Sequence, residues 1–240
     1  MAVKTAQYTF NGQTYNLTYN STTGKWEATV TAPSKSSYSQ TDHVLGGTVK
    51  ATDVAGNTKT VDQSHVTLGA SLKVRVKEKV APVISITAPS AGAYITNTTP
   101  SIEFTVTDAD SGVASIAVTL DGTAISSITK TAVTGGYKCT CKPASALKDG
   151  SHTISVTATD NDGNTSAAKT STFTVDTVPP TLSITAPAEG LVTNKKTVTV
   201  TGKTDDATSK PVTVTVNGSA ATVGTDGSFS KDVTLTEGAN

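Results

Sequence analysis

Aromatic side chains are scarce in this sequence: they make up 5% of its 240 residues, with one Trp, four Phe and six Tyr. A core built mainly on large rings is therefore excluded, and the thin, β-branched core of small units remains. Cysteine is scarcer still, with only Cys139 and Cys141. Lying two apart in a strand-like stretch, their side chains share one face, and one strand does not readily bring two sulfurs into disulfide geometry. They read as small hydrophobes in a domain that folds under reducing conditions. As metal ligands they would need partners, and His152 alone is a weak candidate.

Charge of one sign is missing too, since Lys+Arg and Asp+Glu both number 19. No overall field draws the chain to nucleic acid or an anionic membrane. No run approaches the roughly 18 apolar residues of a membrane span, so membrane insertion is not expected. The three histidines, His43, His65 and His152, stand in separate segments, none beside a nucleophile motif. There is no Gly-x-Ser-x-Gly, no phosphate-cradling Gly-rich loop and no His-Glu-x-x-His. Paired carboxylates of the glycosidase kind would need a cleft that narrow β-units do not offer. The expectation is a non-enzymatic protein with no catalytic residue and no cofactor.

What the sequence does contain is repetition. Val156 to Thr165, Val-Thr-Ala-Thr-Asp-Asn-Asp-Gly-Asn-Thr, has a near copy at Val49 to Thr58, and each copy runs an alternating strand into a turn of Asp, Gly and Asn. Ser183-Ile-Thr-Ala-Pro187 repeats Ser85-Ile-Thr-Ala-Pro89, and Val216-Asn217-Gly218 answers Leu120-Asp121-Gly122. The offsets agree on a period of about 100 residues, the mark of a tandem array.

Along the chain, Asn11-Gly12 separates two alternating runs, Tyr8-Thr-Phe10 and Tyr15-Asn-Leu17-Thr-Tyr19, and suits the positive φ angles of a hairpin turn. A turn at Ser21 to Gly24 leads to Trp26, Ala28 and Val30 on one face. After a polar loop at Ser34 to Thr41, a strand carries Val49 and Ala51 inward, and Val66, Leu68, Leu72, Val74 and Val76 continue to a Lys-rich exit, Lys73 to Lys79. The second unit opens at Val83 and places Ile102, Phe104 and Val106 on one face. Ile116, Val118 and Leu120, then Tyr137, Cys139 and Cys141, then Ile154, Val156 and Ala158, then Phe173 and Val175 follow the same alternation. Turns at this spacing fit a sandwich of about seven strands. The domains expected are 1–81, an atypical first β domain, 82–178, a complete sandwich, and 179–240, a sandwich cut short of its last two strands. The chain is accordingly expected to be the N-terminal piece of a longer protein.

Ile-Thr-Ala-Pro, Asp-Gly-Ser-His-Thr-Ile-Ser-Val-Thr-Ala-Thr-Asp at 149–160, Gly-Asn-Thr and the Asp-Thr-Val-Pro-Pro linker resemble tandem bacterial and phage immunoglobulin-like (Ig-like) domains. The resemblance covers Pro82 to Asn240, whereas the first 80 residues share only the marker turn. It implies an all-β fold of tandem Ig-like β-sandwiches in a rod-like array. In such families the domains are spacers, decorations or weak adhesins without catalytic residues. It occurs in accessory structural proteins of tailed phages and in Gram-positive surface proteins.

Two candidate sites follow from residue type. Asp160-Asn-Asp162-Gly-Asn164 sets oxygen ligands at alternate positions, as a calcium loop begins. A full loop would need a bidentate Glu, and Thr165 to Thr174 has none; the equivalent Asp53-Val-Ala-Gly56-Asn57 has lost the middle carboxylate. Turn chemistry explains these residues and is the favoured reading, here and at Asp108 and Asp110. No metal is assigned, although the linker position leaves a calcium-stiffened junction open. Trp26, with Tyr15, Tyr19 and Tyr38 near it in sequence, is either an aromatic sugar platform or the plug of the first sandwich, and the plug is favoured.

Met1 to Tyr8 passes into a strand pattern without the basic and apolar segments of a secretory leader. If Met1 is the natural start, the chain folds in a cytoplasm. That expectation, with the free cysteines, selects a virion protein of a tailed phage, in tail or capsid, with weak binding to cell-surface or mucosal glycans. The alternative is a stalk or adhesin fragment of a bacterial cell surface. Partners would be other virion or surface proteins. Open strand edges in the first and third units would leave room for a homo-oligomer.

Overall fold

The computed structural model describes residues 2–238, and the chain termini placed at Met1 and Asn240 lie outside them. Three successive groups of strands follow one another, with breaks at 75–82 and 176–180. The protein is all-β, an array of Ig-like β-sandwich units, the first and third of which depart from the full sandwich.

The first unit holds β1 (Val3–Phe10), β2 (Gln13–Asn20), β3 (Lys25–Glu27), β4 (Leu45–Asp53), β5 (Thr58–Asp62) and β6 (Lys73–Val74). They form one antiparallel sheet in the order β3-β2-β1-β4-β5, with β6 also on β4. The β1–β2 hairpin turns at Asn11 and Gly12 with φ of 47° and 76°, the double positive φ that Asn-Gly supplies. Three expectations fail here. No second sheet covers the first among the described residues. Val66 and Leu68 do not continue a strand but lie exposed, at 99% and 52%, in a turn before a short 3-10 segment, Gly69–Leu72. Trp26 is not a core plug: β3 ends at Glu27, and the indole sits half-buried on the outermost strand against Tyr19, ring centroids 5.6 Å apart. The physical reason is supply, because among the described residues of this unit only Ala6, Phe10 and Val76 are buried apolar residues, too few to face a second layer.

The second unit is a complete sandwich. β7 (Val83–Ala88), β8 (Tyr94–Ile95), β9 (Ile102–Thr107), β10 (Val113–Leu120), β11 (Thr123–Ala124), β12 (Thr129–Val133), β13 (Gly136–Cys141), β14 (Gly150–Asp160) and β15 (Lys169–Val175) divide into two sheets. One runs β12-β13-β9-β7, the other β11-β10-β14-β15-β8. Strict alternation supplies each inner face: Ile102, Phe104, Val106, Cys139 and Cys141 from the first sheet meet Val118, Leu120, Ile154, Val156, Phe173 and Val175 from the second. The two thiols are free and buried in this core, as the shared-face reading expects. Burial, together with Cys139 beside it, pushes Cys141 up to about 11.

The third unit repeats one sheet of this plan. β16 (Thr181–Ala186), β17 (Thr197–Asp205), β18 (Thr215–Val216), β19 (Ser219–Ala220), β20 (Thr222–Val223) and β21 (Ser228–Thr234) give a sheet β16-β17-β21-β20 and a separate hairpin β18-β19. The same register break occurs between Ile184 and Ala186 as between Ile86 and Ala88. Among the described residues no second sheet of several strands accompanies it, and Leu182 and Ile184 remain 64% and 62% exposed.

Candidate metal centre

At the joint between the first and second units, three segments meet: the exit from the first sheet at Lys77 and Glu78, the loop after β9 at Asp108 to Gly112, and the marker turn after β14 at Asp160 to Asn164. Each is shaped by its own sequence before it meets the others. In the marker turn the Asp160 carboxylate accepts the backbone N–H groups of Asp162 (2.9 Å) and Asn164 (2.8 Å) on Oδ1, and the Asn164 amide donates to Oδ2 at 2.7 Å. The first unit repeats this pattern, where Asn57 N–H donates to Asp53 Oδ1 at 2.8 Å and the Asn57 amide to Oδ2 at 2.9 Å. The turn chemistry read from the sequence therefore operates in both copies. In the loop after β9, Asp108 Oδ1 accepts from Asp110 N–H (3.2 Å) and Gly112 N–H (2.8 Å).

What differs between the copies is what covers them. Asp53 belongs to an open turn, whereas Asp160 is 2% exposed beneath the exit segment. Glu78 N–H donates to Asp162 Oδ2 at 3.1 Å, Lys77 Nζ to the Asp162 carbonyl at 3.0 Å, and the Asn164 amide to the Glu78 carbonyl at 3.2 Å. Ser111 N–H donates to Glu78 Oε1 at 2.8 Å, and from the first unit's polar loop Ser36 N–H reaches Asp110 Oδ2 at 2.9 Å. The Asn161 amide ties the two loops of the second unit together through the carbonyls of Ser111 and Gly112.

The result is a set of buried carboxylates. One oxygen from each of Glu78, Asp108 and Asp160 lies within 4.8 Å of the others. Asp162 adjoins them and is 7% exposed, and its Oδ1 has no hydrogen-bond partner; nor does the buried Ser111 hydroxyl. The ion pairs among the described residues, Lys73–Asp42, Lys138–Glu103, His152–Asp121 and Lys210–Asp205, all lie elsewhere. Burial raises the Glu78 pKa, and the negative charges of Asp108 and Asp110 add to the rise against the opposing hydrogen bonds from Ser111. At Asp160, burial is outweighed by the N–H donors of the turn, led by Asn164, and the pKa is lowered. The donors are all hard oxygens, the set that suits calcium, magnesium or manganese and not zinc.

Sequence reasoning had found Asp108, Asp110, Asp160, Asp162 and Asn164 and assigned them no metal; the fold brings all five into one joint. Glu78 escaped notice. The available signal was its position as the lone acid in a Lys-rich exit just before Pro82. The other suggested sites separate. His152 lies against Phe173, with Nδ1 2.7 Å from Asp121 Oδ2 and Nε2 2.8 Å from the Lys148 carbonyl, so both nitrogens are engaged away from the thiols. Tyr38 stacks on His43, not on Trp26. A surface groove of about 810 Å³ is lined by residues such as Leu120, Ile125 and Leu147, and its ionisable side chains are Asp121, Cys141 and Lys142.

Comparison with known proteins agrees with this architecture. Residues 82–177 match the bacterial Ig-like domain family, and residues 180–240 match glucodextranase, domain B. The second unit is a bacterial Ig-like domain, set in a tandem all-β array. A stretch of 94 residues, 39% of this chain, is 39% identical to Bacillopeptidase F of Bacillus subtilis (strain 168) and spans 6% of that protein. A longer one of 171 residues, 64% of this chain, is 30% identical to chitinase ChiA of Flavobacterium johnsoniae and spans 11% of it. The chain thus corresponds to a small part of each of these relatives. Among solved structures, the fibronectin(III)-like modules of Clostridium thermocellum CbhA share 18% identity over 72% of this chain and 78% of theirs, with a TM-score of 0.33. A structure concerning host cell surface retention of a 1.5-MDa bacterial ice-binding adhesin shares 22% identity over 97% of this chain and 76% of its own, also with a TM-score of 0.33.

Proposed function

We propose that this chain is a non-enzymatic spacer, a run of small β-units that sets other parts of a secreted or surface-attached bacterial protein at a distance. The observation that carries the reading is the bonded joint. Hydrogen bonds from Ser36, Lys77 and Glu78 cross to the loops at Asp110 and Asp162, so the first two units meet through fixed polar contacts in addition to a chain crossing. A joint of that kind resists bending, which is the property a spacer needs. The Pro-bearing connections at Val80 to Val83 and Thr177 to Pro180 restrict the backbone further.

Both curated relatives named above are bacterial proteins of which this chain spans a minor part, and this favours a secreted or cell-surface setting over the virion. Attachment to glycans is a lesser part of the reading. It rests on Tyr19, 53% exposed beside Trp26 on the outer strand. Small-angle X-ray scattering tests the spacer: a compact globule of 240 residues would have a radius of gyration of about 18 Å. Units joined end to end give a clearly larger value, and a radius near that of the globule would overturn the reading.

A further inference from the structure

We propose that Asn217 is a site of self-modification, an asparagine that loses its side-chain amide by ring closure with the backbone of Gly218. Asn-Gly occurs twice in the sequence, at Asn11-Gly12 and Asn217-Gly218. The pair suits this chemistry because glycine puts no Cβ beside its backbone nitrogen. That nitrogen, having given its proton to solvent base, attacks Asn217 Cγ. A C–N bond forms, the bond from Cγ to the side-chain nitrogen breaks, and ammonia leaves. Water then opens the resulting succinimide at either carbonyl, giving aspartate or isoaspartate. In sum a water is consumed and an ammonia released, with no oxidant or cofactor.

The fold decides which of the two asparagines reacts. Both turns have the same shape, with φ of 47° and 76° at Asn11 and Gly12 and of 48° and 74° at Asn217 and Gly218. Both are exposed, and neither side-chain amide makes a hydrogen bond among the described residues. The ring cannot close while the asparagine keeps its left-handed conformation, because the glycine nitrogen then does not face Cγ, so reaction passes through opening of the turn. Opening at Asn11 must break into β1 and β2, which pair over five residues, and β1 is bound on its other side to β4. Opening at Asn217 disturbs only β18 and β19. These pair over two residues, belong to no larger sheet among the described residues, and are closed at the base by Ala221 N–H on the Val214 carbonyl at 2.9 Å. A two-stranded hairpin standing alone is marginally stable in water.

The second unit supplies an internal contrast. Asp121-Gly122 makes the same turn, with φ of 51° and 79°, and an aspartate can close the same ring with loss of water. There the carboxylate is tied down, accepting Thr153 N–H at 2.8 Å on Oδ1 and lying 2.7 Å from His152 Nδ1 through Oδ2. Asp121 therefore stays as it is, whereas Asn217 has no such tether. Of the two products at position 217, aspartate gives the same dipeptide as the second unit's turn. Isoaspartate adds a methylene to the main chain, which so short a turn does not absorb, and the pairing of β18 with β19 is lost. The inference goes beyond the spacer reading, because the chemistry belongs to the turn whatever the array does.

Incubation of the native chain at mildly alkaline pH and body temperature, followed by peptide mapping with mass spectrometry, tests it. Exchange of the amide for a carboxyl changes the peptide mass, and chromatography separates isoaspartate from aspartate. In the native chain Asn217 should convert at least about threefold faster than Asn11, a difference of about 0.65 kcal/mol in opening free energy. In urea, where neither turn persists, the two rates should come together. Asn217→Asp, which begins as one of the products, should abolish ammonia release from that turn and leave only the slower release from Asn11. A native ratio below about threefold, or a ratio that persists unchanged in urea, would overturn the proposal. So would isoaspartate forming at Asp121 as fast as at Asn217.

Discussion

Replacing Phe104 by Ala should unfold the second unit's sandwich at a much lower temperature. Phe104 is fully buried at the centre of β9, opposite Ile86 on one neighbouring strand and Cys139 on the other. Removing a buried Phe ring loses its transfer free energy and leaves a cavity, together about 3–5 kcal/mol. A domain of this size has about 5–15 kcal/mol in all, so about a fifth or more of its stability would go. With a shift of about 4–8 °C per kcal/mol for domains of up to about 100 residues, the midpoint should fall by about 12 °C or more. Differential scanning calorimetry reads the loss, and the lone Trp26, in the first unit, gives a fluorescence signal for that unit separately. The matched control is Leu182→Ala on β16, 64% exposed, which should change stability by no more than about 0.5 kcal/mol. A Phe104→Ala loss below about 1 kcal/mol, or equal losses from both substitutions, would refute the packing argument.

Three other outcomes are expected. Burial lowers the pKa of His152, but hydrogen bonds to Asp121 and the Lys148 carbonyl and the charge of Asp121 outweigh it, so the net shift is upward; for Asp121 burial is outweighed by His152 and Thr153, and the pKa is lowered. The histidine's share of stability is complete below its unfolded pKa of about 6.5 and fades as pH rises through the folded value, and the aspartate's is complete above about 3.9 and fades as pH falls. The pair should help most between about pH 4 and 6.5, and Asp121→Asn should flatten the melting temperature against pH there; an unchanged profile would count against the pairing. Cys139 and Cys141, buried and with raised pKa values, should resist maleimide in the native chain and label only on unfolding, and rapid native labelling would contradict the core assignment. Trp26→Ala should reduce retention on a glycan array if the Tyr19 and Trp26 pair is a sugar contact, and unchanged binding would remove that site.

Much of the fold was legible because strand alternation and turn chemistry act within a few residues. Asn11-Gly12, Asp121-Gly122 and Asn217-Gly218 each announce a hairpin, and each adopts two positive φ angles. The alternation through Ile102, Phe104 and Val106 gave the core of the second unit correctly, because its partner strands carry the same pattern. The first unit misled because Val66, Leu68 and Trp26 are apolar in sequence but have no opposing layer to bury them, and burial depends on the partner as much as on the residue.

From its own residues the chain determined that it is all-β, that it repeats with a period of about 100 residues, and that Asp160 and Asp53 each close a turn through their own neighbours. Those are short-range consequences of side-chain pattern and backbone preference. Only the tertiary structure decided that one of the two turns is covered and the other open, and that Glu78, far away in sequence, lies among Asp108, Asp160 and Asp162. The electrostatic cost of burying those charges together belongs to no local segment, since it exists only once the exit segment of one unit docks on the loops of the next.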